Sequence, residues 1–413
     1  MALIQRDMSK YGSLFIAATF LISCREISVK EFSYPPEWEK HQAVWIDFHD
    51  NRDWAVPDYE ARFEIIQALQ NRVPVKALVD SEAAAKLLDS LMQSSDLGAS
   101  GVTIISHLEP NIAMRDAGPI FLSNQQELMI ADFYWNGYGG KHAQDLGRGD
   151  IPNDLASRFG WKVKSSEFAA EGGGIEVNSN TMVSFKHHGL SRNKGKSLNE
   201  IEKAYLDMYN KEKIIWIEHP LILETPGKKI ENYFGQGADQ HIDAYMRFVN
   251  DSTLLVPVID ESERLNSPIQ EKDFEAIQKN LEQLRNETDA NGSPFTIVEI
   301  PMPDISLYTF KTIASEYLTY GFPEMTEGEE VVIVPIMGYS NFLITNDVVL
   351  VSEYWREGLP EKEKRKDEEM KTILSKFFPN REIIGIKNAI QLNWNGGGIH
   401  CQTQQEPFIL KSE

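Results

Sequence analysis

Asp243-Ala244-Tyr245-Met246-Arg247-Phe248-Val249-Asn250-Asp251-Ser252-Thr253-Leu254-Leu255-Val256-Pro257-Val258-Ile259 reads as a polar residue followed by a hairpin. Residues 244–249 and 254–259 are strand-like, and Asn250-Asp251-Ser252 supplies the turn chemistry between them. The same pattern occurs three more times. Asp116 precedes 119–122, the turn 123–126 and 128–133. Glu171 precedes 175–177, the turn 178–180 and 182–185. Asn341 precedes 342–345, the turn Asn346-Asp347 and 348–352. Helical patterns separate these hairpins. Residues 58–70 place Phe63, Ile66 and Leu69 on one face, and 81–92, 197–209, 269–287 and 361–378 have the same character. Further strand-like runs lie at 75–79, 102–105, 331–336 and 382–386. The alternation predicts a mixed α/β fold built from a recurring ββα-type module. If such modules surround an axis, the polar residues at equivalent strand starts converge on one centre.

The 413 residues carry a formal net charge of −21, and 42% of them are apolar. A sizeable core is therefore available. Nucleic acid is excluded as a partner class, because phosphate binding needs a basic face. An acidic surface instead suits a cationic substrate.

The two cysteines, Cys24 and Cys401, have separate explanations. Arg6 and Lys10 precede the apolar run 14–22, which is too short to span a bilayer, and Ser23-Cys24 follows. This resembles a bacterial lipoprotein signal, with cleavage before Cys24 and acylation of its thiol. The expected organisation is a signal peptide at 1–23, a tether at 24–32 and a single catalytic domain at 33–413. The expected location is extracytoplasmic, anchored to a membrane by lipid (periplasm or outer membrane). Cys401 then has no disulfide partner left.

Cys401 follows three glycines in Gly396-Gly397-Gly398-Ile399-His400-Cys401. With His241 and the carboxylates of Asp116, Glu171 and Asp243 it offers a thiol, an imidazole and three acids. That set suits attack on a planar cationic carbon, and a guanidinium fits it best. Paired carboxylates grip its N–H groups bidentately. Its deactivated carbon needs a thiolate, which a neighbouring cation favours. Its nitrogen leaves only when protonated, which needs a general acid such as His241. Each feature also has a plainer explanation. A near-terminal Cys is often a packing residue, Glu-Gly-Gly-Gly is often a turn, and Arg115-Asp116 can be a structural ion pair.

Several stretches together resemble the agmatine deiminase / Porphyromonas-type peptidylarginine deiminase family. They are Met114-Arg115-Asp116-Ala117-Gly118-Pro119, Trp135-Asn136-Gly137-Tyr138-Gly139-Gly140, Glu171-Gly172-Gly173, His241-Ile242-Asp243, Tyr339-Ser340-Asn341-Phe342 and the run 397–407. The resemblance implies the pentein fold, a five-bladed α/β propeller with its active site on the axis. It implies hydrolytic deimination with Cys401 as nucleophile and His241 as general acid/base. Asp116 and Asp243 would hold the guanidinium, Glu171 would assist, and Asn341 would lie near the site. No metal or organic cofactor is implied, and no oligomeric state.

One departure is Ala113, where the family often has a Trp that would help wall the cleft. The expected substrate is agmatine or a similar small guanidine, whose distal amine an acid such as Asp239 could receive. The alternative is arginine, free or in peptides; a C-terminal carboxylate would need a base such as Arg148. Two further alternatives are a lipid-anchored guanidine-binding protein and a metallohydrolase using His241, Asp243 and Glu171. The acidic helical segment 266–294 is expected as an insertion near the entrance.

Overall fold

The computed structural model describes residues 31–96, 98–107, 113–140, 150–322 and 324–410. The signal-like segment with Cys24, most of the expected tether, and Arg148 lie outside the described residues.

All four hairpins form. Ile120–Ser123 pairs antiparallel with Leu128–Asp132, Glu176–Val177 with Thr181–Phe185, Arg247–Asn250 with Thr253–Val258, and Leu343–Ile344 with Val348–Ser352. In each, the second strand is followed by helix and then by a parallel third strand: Lys162–Ser165, Lys213–Ile217, Thr296–Pro301 and Glu382–Ile386. The parallel partner requires a crossover, and the helical stretches supply it. One strand starts later than expected. Residues 242–244 form a 3-10 turn, so the first strand of that hairpin begins at Arg247.

A fifth unit is assembled from the two ends of the chain. Thr403–Pro407, just after Cys401, pairs antiparallel with His41–Phe48. His41–Phe48 leads through helix Tyr59–Leu69 to the parallel strand Val75–Val79, which Val102–Ser106 extends. The unit therefore has the same ββα plan, but its two hairpin strands lie more than three hundred residues apart. Five units result, and their leading residues are Asp116, Glu171, His241, Asn341 and Cys401.

Three of the helices between parallel strands start where capping residues stand. Ser81 accepts from Ala84 N, Ser267 from Gln270 N with Pro268 next, and Ser197 forms a reciprocal capping box with Glu200. Each helix buries one apolar stripe against its sheet. Helix Pro268–Arg285 buries Ile269, Ile277, Leu281 and Leu284 in the cluster that holds Leu254, Leu255 and Val256. Truncating one such residue to Ala costs about 2–5 kcal/mol.

Within 266–294 the helix is Pro268–Arg285, and it is the crossover between the parallel strands Thr253–Val258 and Thr296–Pro301 rather than the expected insertion. Its Asp273 is buried and accepts from Ile222 N (2.6 Å) and Leu223 N (3.1 Å), pinning the backbone ahead of Glu224. An additional sheet was not expected: Lys229–Ile230, Tyr233–Gly235, Glu330–Val334 and Phe310–Ile313 pair in one four-stranded layer. Among the described residues, no helix is long and apolar enough to cross a membrane.

Candidate active site

Each functional side chain stands on a turn just ahead of a hairpin. Asp116 lies in the helical turn Met114–Ala117, Glu171 caps the 3-10 turn Gly172–Gly174, and His241 caps Ile242–Ala244. The strands fix the backbone, and the turns aim the side chains inward.

Cys401 is buried, and its Sγ accepts from Asn341 Nδ2 at 3.2 Å. The same amide's oxygen accepts from His400 N (2.8 Å) and Cys401 N (3.2 Å). One Asn341 side chain thus holds both the thiol and the backbone that carries it. Gly398 makes room: a Cβ there would lie 2.5 Å from Asn341 Oδ1. Asp243 Oδ2 is 3.7 Å from the sulfur. Burial pushes the Cys401 thiol well up, and the Asp243 and Asp116 carboxylates push it further. The Cys401 side chain therefore rests as a neutral thiol.

His241 stands between two acids, with Nδ1 3.5 Å from Asp116 Oδ1 and Nε2 3.5 Å from Glu171 Oε2. Burial alone would lower its pKa, but Asp116, Glu171 and Asp243 bring it up to about 9. The imidazole is protonated at neutral pH. Burial pushes Asp116 up to about 6, and it accepts from Tyr138 Oη (3.0 Å) and Gly173 N (3.3 Å). Tyr138 reaches it from left-handed backbone, φ 57°. Asp243 Oδ1 has no hydrogen-bond partner in the substrate-free site.

Two expected roles change. Glu171 is spent on other side chains: Arg192 Nε contacts both of its oxygens at 2.9 Å, and His188 Nε2 lies 2.7 Å from Oε2. Burial opposes its charge, yet Arg192 and the two histidines hold its carboxyl well below the usual range. It faces His241 as a fixed anion rather than offering an open edge to a guanidinium. Asp239 is bonded to Arg192 Nη1 at 2.6 Å and is buried, so its charge is already neutralised and it does not suit a distal amine. Arg115 does not pair with Asp116. It donates to Gln405 Oε1 (2.7 Å) and Tyr34 Oη (3.2 Å), and its backbone N bonds Cys401 O. Ala113 provides only the N-cap backbone of the Met114–Ala117 turn.

Sequence reasoning missed Glu224. It lines a narrow pocket together with His241, Asn341, Asn393 and Cys401. Its Oε2 accepts from His241 N at 3.1 Å, and its Oε1 has no hydrogen-bond partner. Burial pushes this carboxyl up to about 8. No local motif marks Glu224; only the fold sets it beside His241, seventeen residues away. His188 and Arg192 were missed for the same reason. Glu171, His188 and His241 have ligand atoms within 4.8 Å of one another, the spacing of a metal trio. The Arg192 guanidinium on Glu171 opposes a divalent cation there, since it already supplies the positive charge.

The likeness to known proteins spans nearly the whole described chain. The agmatine deiminase of Pseudomonas syringae pv. tomato is 27% identical over 399 residues, covering 92% of this chain and 97% of that protein. The agmatine deiminase of Pseudomonas putida is 24% identical over 397 residues, covering 92% and 96%. The solved structure of the agmatine deiminase of Enterococcus faecalis superimposes with a TM-score of 0.71 at 22% identity, covering 91% of this chain and 96% of that one. This likeness bears out the expected pentein fold. Residues 33–407 match the family model for Porphyromonas-type peptidyl-arginine deiminase, and the chain belongs to that family.

Proposed function

We propose that the protein hydrolyses a guanidinium to a ureido group and ammonia, and that its substrate is a small guanidine with a cationic tail, agmatine giving N-carbamoylputrescine. The observation that carries this reading is the cavity in which Cys401, His241 and the unpartnered Glu224 Oε1 meet. Guanidinium N–H groups bridge Asp116 and the open Oδ1 of Asp243. Their positive charge offsets the two carboxylates that push the thiol up, so once substrate is bound the thiol releases its proton to solvent and the thiolate forms. Its sulfur adds to the guanidinium carbon. His241 gives its proton to one nitrogen, which leaves as ammonia, and an S-amidino adduct remains. The neutral imidazole then takes a proton from water as the oxygen adds to the same carbon. The C–S bond breaks, the ureido product leaves and the thiol is restored. The Glu224 carboxyl, pushed up to about 8 by burial and short of one partner, ionises when an ammonium arrives beside it and offers a carboxylate no cation to pair with. That favours agmatine over free arginine.

The test is turnover by the soluble protein from residue 24 on agmatine, butylguanidine, free arginine and an internal-arginine peptide. Ureido product and ammonia are read together, with Cys401→Ser as control. Agmatine is expected to turn over best, with Glu224→Gln lowering its kcat/KM and sparing butylguanidine. The family model's description favours a second reading, deimination of arginine in peptides, and a preference for the peptide would establish it. No turnover of any substrate by folded protein refutes deimination. A chelator that abolishes turnover would restore the metallohydrolase reading. Placement at an extracytoplasmic membrane face is proposed from the sequence around Cys24 alone. Retention of a Cys24→Ala protein in the membrane fraction would count against it.

A further inference from the structure

Behind the reacting groups, Asp243 joins a second buried charge cluster whose other members the deimination chemistry leaves unused. His400 Nδ1 is 2.7 Å from Asp243 Oδ2, and His400 Nε2 is 2.6 Å from Glu37 Oε2. Glu37 comes from the other end of the chain, ahead of strand His41–Phe48, and is fixed on all sides. Its Oε1 accepts from Ile344 N (2.7 Å), and its Oε2 accepts from Arg247 Nη2 (2.9 Å) and faces Arg115 Nη2 at 3.6 Å. Arg247 is in turn bonded to Glu176 Oε2 at 3.0 Å. All these side chains are buried. Each ring nitrogen of His400 thus faces a carboxylate oxygen at strong charge-assisted distance. Two ionised carboxylates can both accept only if both nitrogens donate.

We propose that His400 donates from both ring nitrogens, bridging Glu37 and Asp243, and that this bridge positions Asp243 for substrate. The bridge occupies Oδ2 and leaves Oδ1 pointing free, which is the oxygen a guanidinium needs. It also keeps Asp243 an anion although Asp116, Glu224 and the Cys401 thiol surround it. The positive groups that face Asp243 are His400, His241 and Arg247; those around Glu37 are His400, Arg247 and Arg115. His400 and Glu37 are positioning residues, since neither touches the reacting carbon. This role rests on the deimination reading, but its primary readout does not.

The primary readout is the ¹⁵N spectrum of histidine-labelled full chain, with His400 assigned by the signal lost in His400→Gln. Both ring nitrogens are expected to carry protons at neutral pH, as the two carboxylate contacts require. A single protonated nitrogen there overturns the proposal, whether or not the protein turns over any guanidine. The second readout is Glu37→Gln, which keeps shape and removes the charge. Asp243 then gains a proton more easily, so KM for the guanidine at pH 7 is expected to rise about ten-fold, one unit's worth. The defect should shrink toward pH 9 as Asp243 ionises again, with kcat little changed. An unchanged KM, or a defect that does not vary with pH, would show that the bridge is only structural.

Discussion

Gly173→Ala is the sharpest probe of where the reaction takes place. Gly173 has no left-handed φ, so alanine fits its backbone. The added methyl does not fit the site. It would stand 2.7 Å from His241 Nδ1, 2.9 Å from Asp116 Oδ1 and 3.2 Å from Asp243 Oδ2. The first contact is about 0.8 Å short of the ~3.5 Å optimum between non-bonded heavy atoms. None of the three side chains has slack, because each is buried. Relieving the clash costs about 1–3 kcal/mol of stability, as overpacking does elsewhere. It also moves the acid and one guanidinium anchor by most of an ångström. A misplacement of that size costs about a hundred-fold in rate, or about 2.7 kcal/mol of transition-state stabilisation. The assay is kcat/KM for the guanidine beside a thermal melt. The expected result is a folded protein, its midpoint lowered by some degrees, with turnover reduced about a hundred-fold. A folded Gly173→Ala protein within two-fold of the parent activity would refute the convergence of His241, Asp116 and Asp243 on one substrate.

The pH dependence of kcat/KM should be a bell. Asp116, pushed up to about 6 by burial, must be ionised to hold the guanidinium, so activity falls as pH drops through about 6. His241, held at about 9 against burial by Asp116 and Glu171, must be protonated, so activity falls again above about 9. A single alkaline limb would show that Asp116 is not needed as an anion. Arg192→Met leaves Glu171 and Asp239 buried without their shared cation, and denaturant unfolding should show a loss of about 3–5 kcal/mol. A loss under about 1 kcal/mol would mean that Arg192 does not carry that charge balance.

The hairpins were legible because turn residues and β-branched runs are local signals. Asn250-Asp251-Ser252 announces its turn wherever the rest of the chain lies. The first strand of that hairpin was placed three residues early, since the 3-10 turn at 242–244 keeps the same apolar residues. The fifth unit left no such mark. Its two hairpin strands, His41–Phe48 and Thr403–Pro407, are joined by no turn, so no turn chemistry records their pairing. Asp239 looked available because it is acidic and next to Gln240 and His241. Its partner Arg192 is forty-seven residues away and invisible to local reading.

By itself the sequence determined which chemical groups the protein owns: one thiol in a glycine-rich turn, an imidazole beside an acid, and hairpins that each begin with a polar residue. Those features depend on neighbours in the chain, and covalent order preserves them. The tertiary structure decided how the groups act. It closed the fifth unit through the chain ends, put Glu37 against His400 and Glu224 beside His241, and buried Cys401 among carboxylates that push its thiol up. Burial and charge proximity are set by distance in space, and that distance is fixed only when the five units pack together.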